Sequence, residues 1–490
     1  MFRHLLKRRP GDESVIDSST EVSAVQGGRL PLAWLTFERF AAILFFMAVA
    51  CAACLMPAQN DTWWHLRAGK EILQTGTVQL RDSFSHTVTN GYWPDHEWLS
   101  QVIFYSLYQI GGLPLLTAFA AAIVTTAWAI VWRMIPAPLL IRLGLSMPTV
   151  GVFATEWALR PQIFTLLLLA LTTFLLVRRR YLWLPLLFLL WANLHGGVML
   201  GIVVIVSATS AAIIAERRVL IRSAAVTAMC ALMTGVTPIG FSLWTELPGM
   251  LERLRAYGIF EWRAPSILDP GLAPFWLLVA AFVALVAVRR PWPHRGSGQD
   301  PVIWGAAALL PAALGASRNV AALLVLLVPA VGALLQLPDL RHFRRARRSE
   351  RPALNAAILS VAGVCGIVGV AYAWTHEIPR LGWHPLRPEV IAAIESCPAQ
   401  LYNRYDEGGY LIWFVPERPV FIDGRQDPFP PAFVQEHIRV ETTGAYEHTF
   451  RQYSIRCAFG PSNSVLTRRL MADEWRPLYQ DADWVVLTQP

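Results

Sequence analysis

The residues that could carry chemistry lie between Asn60 and Leu99, a polar stretch in a mostly apolar chain. Asp61 is followed there by Trp64 and His65. A carboxylate beside indole rings loses hydration, which makes it a stronger base, able to take a proton from a hydroxyl. We therefore predict that Asp61 is a catalytic general base and that Trp64 and His65 bind substrate beside it. The alternative is that Asp61 caps a surface helix, a position that aspartate favours.

A second polar cluster, Asp95-His96-Glu97, lies near the end of the same stretch. Folding of the loop can bring these side chains beside Asp61, so we predict that all three bind substrate. Carboxylates and imidazoles are also ligands of magnesium, manganese and zinc. A divalent metal is therefore the one cofactor that the cluster allows for, although the sequence has no H-E-x-x-H motif to define a metal site.

Four further polar residues stand at the ends of apolar segments. Arg160 can hold a phosphate through two parallel hydrogen bonds, and the alternative is an arginine that anchors the chain at the membrane surface. Asn193 and His195 fall at bilayer depth, where polar groups usually face a cavity or a partner, although helix packing through the adjacent glycines would also explain them. With Arg318, a weaker candidate, they complete the predicted substrate-binding set.

Composition indicates a membrane protein with many spans. The chain has 490 residues, of which 54% are hydrophobic and 16% charged, and its mean hydropathy is +0.41. Soluble domains are less apolar than this. The net charge of +8 resides in short basic clusters between apolar runs, as in cytoplasmic loops, and not in a nucleic-acid-binding surface. The predicted partner is therefore a lipid bilayer, and nucleic acid is not expected.

The apolar stretches predict about eleven transmembrane helices, each near the length that a bilayer requires. They begin near Trp34, Leu113, Leu139, Gln162, Leu182, Gly197, Val219, Leu272, Val302, Asn319 and Asn355. We divide the chain into a cytoplasmic tail (1–33), a transmembrane bundle (34–375) that includes the first outer loop (57–98), and an extracytoplasmic domain (376–490). Arginine clusters support this orientation because all fall on the predicted inner side: Arg133, Arg178–Arg180, Arg217–Arg222, Arg289–Arg290 and Arg341–Arg348.

The outer segments carry patterns of their own. In the first loop, a surface helix is expected over Asp61–Gln74, and a second amphipathic stretch over Glu97–Ile110. In the C-terminal domain, shorter apolar runs predict a small α/β fold with a helix over Leu386–Ser396. Strands are expected at Leu401–Tyr405, Tyr410–Val415, Val420–Asp423, Ile455–Phe459 and Trp484–Thr488. Cys397 and Cys457 both lie here, so a disulfide can form if the domain is extracytoplasmic.

Together these features resemble the GT-C superfamily of membrane glycosyltransferases, which pair a large first outer loop bearing an aspartate with a bundle of about a dozen spans and a soluble outer domain. The motifs are most similar to those of a group of bacterial GT-C-like membrane proteins. They are D-T-W-W-H-L at 61–66, D-H-E-W-L at 95–99, R-P-Q at 160–162, W-A-N-L-H-G-G at 191–197 and F-I-D-G-R at 421–425.

The resemblance implies a membrane glycosyltransferase of the bacterial inner membrane that uses a sugar linked to polyprenyl phosphate. GT-C enzymes transfer such a sugar on the outer face, with an acidic residue of the first loop as base or metal ligand. That role falls to Asp61, preceded here by Asn60 where many members have a second acidic residue. The expected reaction is an inverting transfer to a glycan, lipid or protein acceptor.

Two other functions fit the same topology. A transporter or flippase of lipid-linked envelope precursors would use the same cavity without bond chemistry, and it predicts polar residues deep within several spans and an internal repeat. A non-catalytic envelope assembly protein would bind its partners through the outer domain alone.

Overall fold

The computed structural model describes residues 32–154, 156–245, 258, 260–293, 300–335, 351–376 and 378–490. Almost all of the predicted cytoplasmic tail and the arginine cluster Arg341–Arg348 lie outside these residues. The helices before the C-terminal part are α1 (Phe37–Ala53), α2 (Asn60–Thr75), α3 (Trp98–Met134), α4 (Leu139–Ala154), α5 (Gln162–Val177), α6 (Leu184–Leu194), α7 (Val198–Ala215), α8 (Leu220–Met233), α9 (Ala273–Arg289), α10 (Asp300–Gly315), α11 (Val320–Leu335) and α12 (Pro352–Thr375).

Within the described residues, five helical segments are long and apolar enough to cross a membrane. They are Trp98–Met134, Val198–Ala215, Pro270–Arg289, Ser317–Leu335 and Pro352–Thr375, and four shorter apolar helices accompany them. The chain is thus a multi-pass membrane protein, while the number of about eleven spans stays a prediction. In α11 every residue from Val320 to Leu334 is buried, as expected of a helix that is apolar on all sides.

The first outer loop contains the two helical segments expected from its sequence. Helix α2 begins after Gln59, whose backbone N–H donates to Thr62 Oγ1 at 3.0 Å, and ends at Gly76 in a left-handed conformation. The predicted stretch Glu97–Ile110 forms the first part of α3, which bends at Gly111 and Gly112, where the backbone dihedrals are not helical. The surface segment therefore leads directly into a span.

The C-terminal part contains a four-stranded sheet in the order β1-β2-β4-β3. Strands β1 and β2 are parallel, and β4 pairs antiparallel with both β2 and β3. The elements are α13 (Pro388–Glu395), β1 (Gln400–Asn403), α14 (Gly408–Phe414), α15 (Pro431–Thr443), α16 (Glu447–Gln452), β2 (Ile455–Pro461), α17 (Val465–Ala472), β3 (Arg476–Gln480) and β4 (Trp484–Thr488). A disulfide joins Cys397 to Cys457.

Two of the predicted strands are wrong. Tyr410–Val415 is the helical segment α14, because a short apolar run fits a buried helix as well as a strand. Val420–Asp423 makes only an isolated bridge to Ser85. The edge strand β3 was not predicted, because most of its residues are exposed and it has no apolar run of strand length.

The first outer loop packs against the C-terminal part. Val420 N–H donates to Phe84 O at 2.9 Å, and His86 N–H donates back to Val420 O at 3.0 Å. Trp64 and Trp93 of the loop share one buried cluster with Leu411 and other residues of the C-terminal part. The first loop and the C-terminal part therefore form one packed unit beside the membrane helices, named the outer unit after the side predicted for it.

Candidate active site

A cavity of about 540 Å³ lies where this outer unit meets the membrane helices. Its polar wall contains every predicted site residue except Asn193: Asp61, Trp64, His65, Asp95, His96, Glu97, Arg160, His195 and Arg318. Leu166 of α5, Leu200 and Val203 of α7 and Ala322 of α11 supply apolar wall. The cavity thus joins charged groups of the outer loops to hydrocarbon surface within the bundle.

Asp61 lies in the first turn of α2 and points into this cavity. Its Oδ1 accepts a hydrogen bond from Trp64 Nε1 at 3.2 Å, and its Oδ2 lies 3.0 Å from Arg160 Nη2. The capping alternative is wrong, because Gln59 and Thr62 cap the helix. Burial raises the pKa of Asp61 although Arg160 opposes the shift, so the carboxylate is poised nearer to neutral pH than an exposed aspartate.

Two arginines are linked through one carboxylate on the same wall. Arg160 Nη2 and Arg318 Nη1 each lie 3.5 Å from Glu261 Oε1. Burial would raise the pKa of Glu261, but the two guanidinium groups outweigh it and lower the pKa. Ser317 N–H donates to Arg263 O at 2.8 Å, which holds the segment bearing Glu261 beside the start of α11. The result is a pair of fixed cations that can face one anionic group.

Three imidazoles surround Glu97. Its carboxylate oxygens lie 3.6 Å from His65 Nε2, 3.8 Å from His96 Nε2 and 3.3 Å from His195 Nε2. The histidines come from α2, from the loop before α3 and from the α6–α7 connection. Burial lowers the pKa values of His65 and His195 well below the usual value, so both are neutral at pH 7. Burial also raises the pKa of Glu97.

Asp95 is a buried residue of the polar wall. Its Oδ1 accepts from Gln101 Nε2 at 2.7 Å, whereas its Oδ2 has no hydrogen-bond partner within the described part of the chain. Burial, together with the charge of Glu97, raises the pKa of Asp95 to about 7. A fraction of Asp95 is therefore protonated at neutral pH and able to donate as well as accept.

Asn193, which was predicted to bind substrate, is not among the residues that line the cavity. Its Oδ1 accepts from Trp98 Nε1 at 2.9 Å, and its Nδ2 donates to Leu189 O and to Val236 O, each at 2.9 Å. The amide thus has partners on both sides and ties α6 to neighbouring elements. Asn193 is a packing residue, because its donors and acceptor are already used within the bundle.

The donors do not fit a metal site. Gly197 N–H donates to His195 Nδ1 at 2.9 Å, so the His195 proton is on Nε2, the atom that faces Glu97 and that a metal would need. Within the described part of the chain, no group of three or more His, Cys, Asp or Glu side chains is arranged to hold a metal ion.

Solved structures share this architecture. The oligosaccharyltransferase AglB from Archaeoglobus fulgidus, in complex with an inhibitory peptide and a dolichol-phosphate, matches with a TM-score of 0.52 and 13% identity over 86% of this chain and 69% of its own. The apo form of the Archaeoglobus fulgidus oligosaccharyltransferase matches with a TM-score of 0.53 and 13% identity over 88% and 70%. The chain has the GT-C fold. At this identity the likeness shows the fold alone, and neither a family model nor a curated protein matches the sequence.

Two further parts of the cavity wall come from residues outside the predicted site set. Glu156 reaches it from the α4–α5 connection, and burial raises its pKa to about 7. Residues 424–427 of the C-terminal part form another wall. The F-I-D-G-R motif could have indicated that residues 424–427 line the cavity. Its glycine and aspartate also fit an ordinary turn, however.

Arg425 fixes that wall. Its guanidinium is fully buried, bonds to Asp82 of the first loop and to Asp423, and lies 4.7 Å from the centre of each of the Phe84 and Trp93 rings. The two carboxylates raise the pKa of Arg425 despite its burial. This ion-pair triad holds the outer unit together beside Asp61.

Proposed function

We propose that this chain is a membrane glycosyltransferase that transfers a sugar from a polyprenyl-phosphate-linked donor to an acceptor hydroxyl, on the outer face of a bacterial inner membrane. The observation that carries the proposal is a continuous cavity that joins the Asp61–Arg160 pair to apolar helix surface. A lipid-linked phosphosugar needs such a site, because its chain is apolar, its phosphate is anionic and its sugar is polar.

We propose one orientation for the donor in this cavity. The prenyl chain would lie along Leu166, Leu200 and Val203, and the phosphate would bind Arg160 and Arg318, which the structure holds on a shared carboxylate. Guanidinium groups bind phosphate oxygens through parallel, charge-assisted hydrogen bonds. The sugar would then occupy the space between Asp61 and Glu97. The dolichol-phosphate in the AglB complex supports a lipid phosphate as the ligand.

Asp61 would act as the general base. When Arg160 turns to the phosphate, Asp61 Oδ2 loses its ion pair and can take the acceptor proton. The acceptor oxygen attacks the anomeric carbon, the bond from that carbon to the phosphate oxygen breaks, and the configuration inverts. The two arginines stabilise the charge that develops on the leaving phosphate.

The test uses the full chain in lipid nanodiscs with a panel of polyprenyl-phosphate sugars, and it measures release of polyprenyl phosphate in the presence of hydroxyl acceptors. Asp61→Asn should abolish release without changing the thermal unfolding temperature. Asp483→Asn, at a 73% exposed side chain outside the cavity, is the matched control. Equal release by Asp61→Asn would remove Asp61 from the mechanism, and movement of the lipid between leaflets without release would favour the flippase alternative.

A further inference from the structure

His96 and His195 face the same carboxylate but hold their protons differently. His195 Nδ1 accepts from Gly197 N–H, so its Nε2 carries the proton and can donate to Glu97 Oε1. His96 Nδ1 lies 3.1 Å from Pro94 O, which can only accept, so this Nδ1 carries a proton. A neutral His96 would therefore present an unprotonated Nε2 to its surroundings.

The Nε2 atom of His96 lies 3.8 Å from Glu97 Oε1. A lone pair there would face a carboxylate oxygen, whereas a proton on Nε2 makes the contact an attractive ion pair. Other acidic side chains also favour the protonated form of His96. Burial lowers the pKa of His96, but Glu97, Asp427 and Asp95 outweigh this effect and raise it. His96 is thus the imidazolium among the three imidazoles around Glu97.

The charges around Glu97 are consistent with a protonated His96. Glu97 is faced by His65 and His195, both neutral, and by the charges of Arg160, Arg318 and Asp61. Burial raises the pKa of Glu97, whereas the charges of His96, Arg160 and Arg318 oppose that shift and favour its carboxylate form. One proton therefore resides on the His96–Glu97 pair.

His96 also has the best access to a ligand. Its side chain is 24% exposed, compared with 3% for His65 and 11% for His195. His195 Nε2 lies 3.3 Å from Glu97 Oε1, within hydrogen-bond distance, and its Nδ1 is used by Gly197. His96 Nε2 lies 3.8 Å from the same oxygen, beyond hydrogen-bond distance, so its proton is the more available to a substrate. Of the three histidines around Glu97, His96 is therefore the one best placed to donate a proton to a ligand in the cavity.

We propose that His96 is the general acid of the transfer reaction and that Glu97 is the residue that keeps it protonated. This inference rests on the proposed function. As the bond from the anomeric carbon to the phosphate oxygen breaks, that oxygen keeps the electron pair and takes the proton from His96 Nε2. Asp61 meanwhile holds the proton of the acceptor, and solvent restores both groups after the product leaves. The dianion of a phosphate monoester takes up one proton near pH 6, which suits an imidazolium donor.

The first test is the pH dependence of transfer in the full chain, with the donor panel described above. His96→Asn and His96→Gln should each slow the release of polyprenyl phosphate by about 10²- to 10⁴-fold and should remove the loss of rate at alkaline pH. Glu97→Gln should keep that alkaline limb but move it to lower pH. His448→Asn, at an exposed histidine of α16, should leave the profile unchanged.

The second test does not require activity. Nitrogen NMR of the chain labelled at histidine, assigned with the same variants, should show His96 protonated on both ring nitrogens at pH 7 and neutral in Glu97→Gln. A neutral His96 in the parent chain would overturn the inference. The inference would also be overturned if the parent chain transfers sugar and His96→Asn does so at the same rate, with the same loss of rate at alkaline pH. The proposed function would stand in that case. A parent chain with no release from any donor would refute the function itself.

Discussion

Gly424 lies so close to Asp61 that a Cβ atom on residue 424 would clash with Asp61 Oδ1. The first outer loop and the C-terminal part, far apart in sequence, therefore meet at the proposed base. Asn60 strengthens this contact, because its Oδ1 accepts the backbone N–H of Gly409 at 2.7 Å and that of Tyr410 at 3.3 Å. The C-terminal part is thus a wall of the proposed active site, which argues against a separable module that binds partners alone.

Gly424→Ala should reduce transfer strongly while leaving the membrane helices folded. The added methyl group would push Asp61 away from Arg160 or move the 424–427 wall, and small misplacements of catalytic groups cost large factors in rate. We expect at least about a tenfold loss in polyprenyl phosphate release. Gly369→Ala is the control, because nothing in the described part of the chain lies within 4 Å of a Cβ there. Full activity of Gly424→Ala would show that the contact tolerates displacement.

The sequence predicted the residues of this site better than their arrangement. Asp61 and Arg160 could be chosen because each is a charged group at the end of an apolar segment. The ion pair between them could not be predicted, because it depends on how α2 packs against the α4–α5 connection. Asn193 looked equally suitable by its position, and only the hydrogen bonds of the folded chain show that its amide is already used.

Arg425→Met should destabilise the outer unit by about 3–5 kcal/mol, because it leaves Asp82 and Asp423 buried without their cation. The free energy of unfolding of this unit, measured by denaturant titration in nanodiscs, checks the value. Arg439→Met is the control, since Arg439 pairs with Glu436 on an exposed surface, where ion pairs contribute little to stability. Equal effects of the two substitutions would show that the triad is not a structural clamp.

The C-terminal sheet shows a similar limit of sequence patterns. Ile455–Phe459 and Trp484–Thr488 are strands as predicted, and both have largely buried residues. Residues 410–414 are equally apolar, but they pack on α2, where Trp63 contacts Trp413 and Phe414, and the segment is helical. The tertiary partner decides between the two structures, and it is not visible in the local sequence.

Arg160→Lys and Arg318→Lys should each weaken the binding of polyprenyl phosphate by about tenfold or more, because an ammonium group cannot form two parallel hydrogen bonds to one phosphate. Binding is measured by tryptophan fluorescence or calorimetry with the lipid in nanodiscs. Since both arginines share Glu261, we expect the double substitution to be non-additive. Arg67→Lys, outside the cavity and paired with Glu71, should bind as the parent does.

Asp95→Asn should change how stability depends on pH. Burial raises the pKa of Asp95 from 3.8 to about 7 in the folded chain, so the folded state binds this proton more tightly than the unfolded state. The stability that Asp95 contributes is therefore complete below about pH 4 and is lost as the pH rises towards 7. The amide introduced by this substitution has no charge to bury, so the variant should gain stability relative to the parent across this range. Thermal unfolding of both proteins between pH 4 and pH 8 measures the difference, and a constant difference would show that Asp95 does not titrate there.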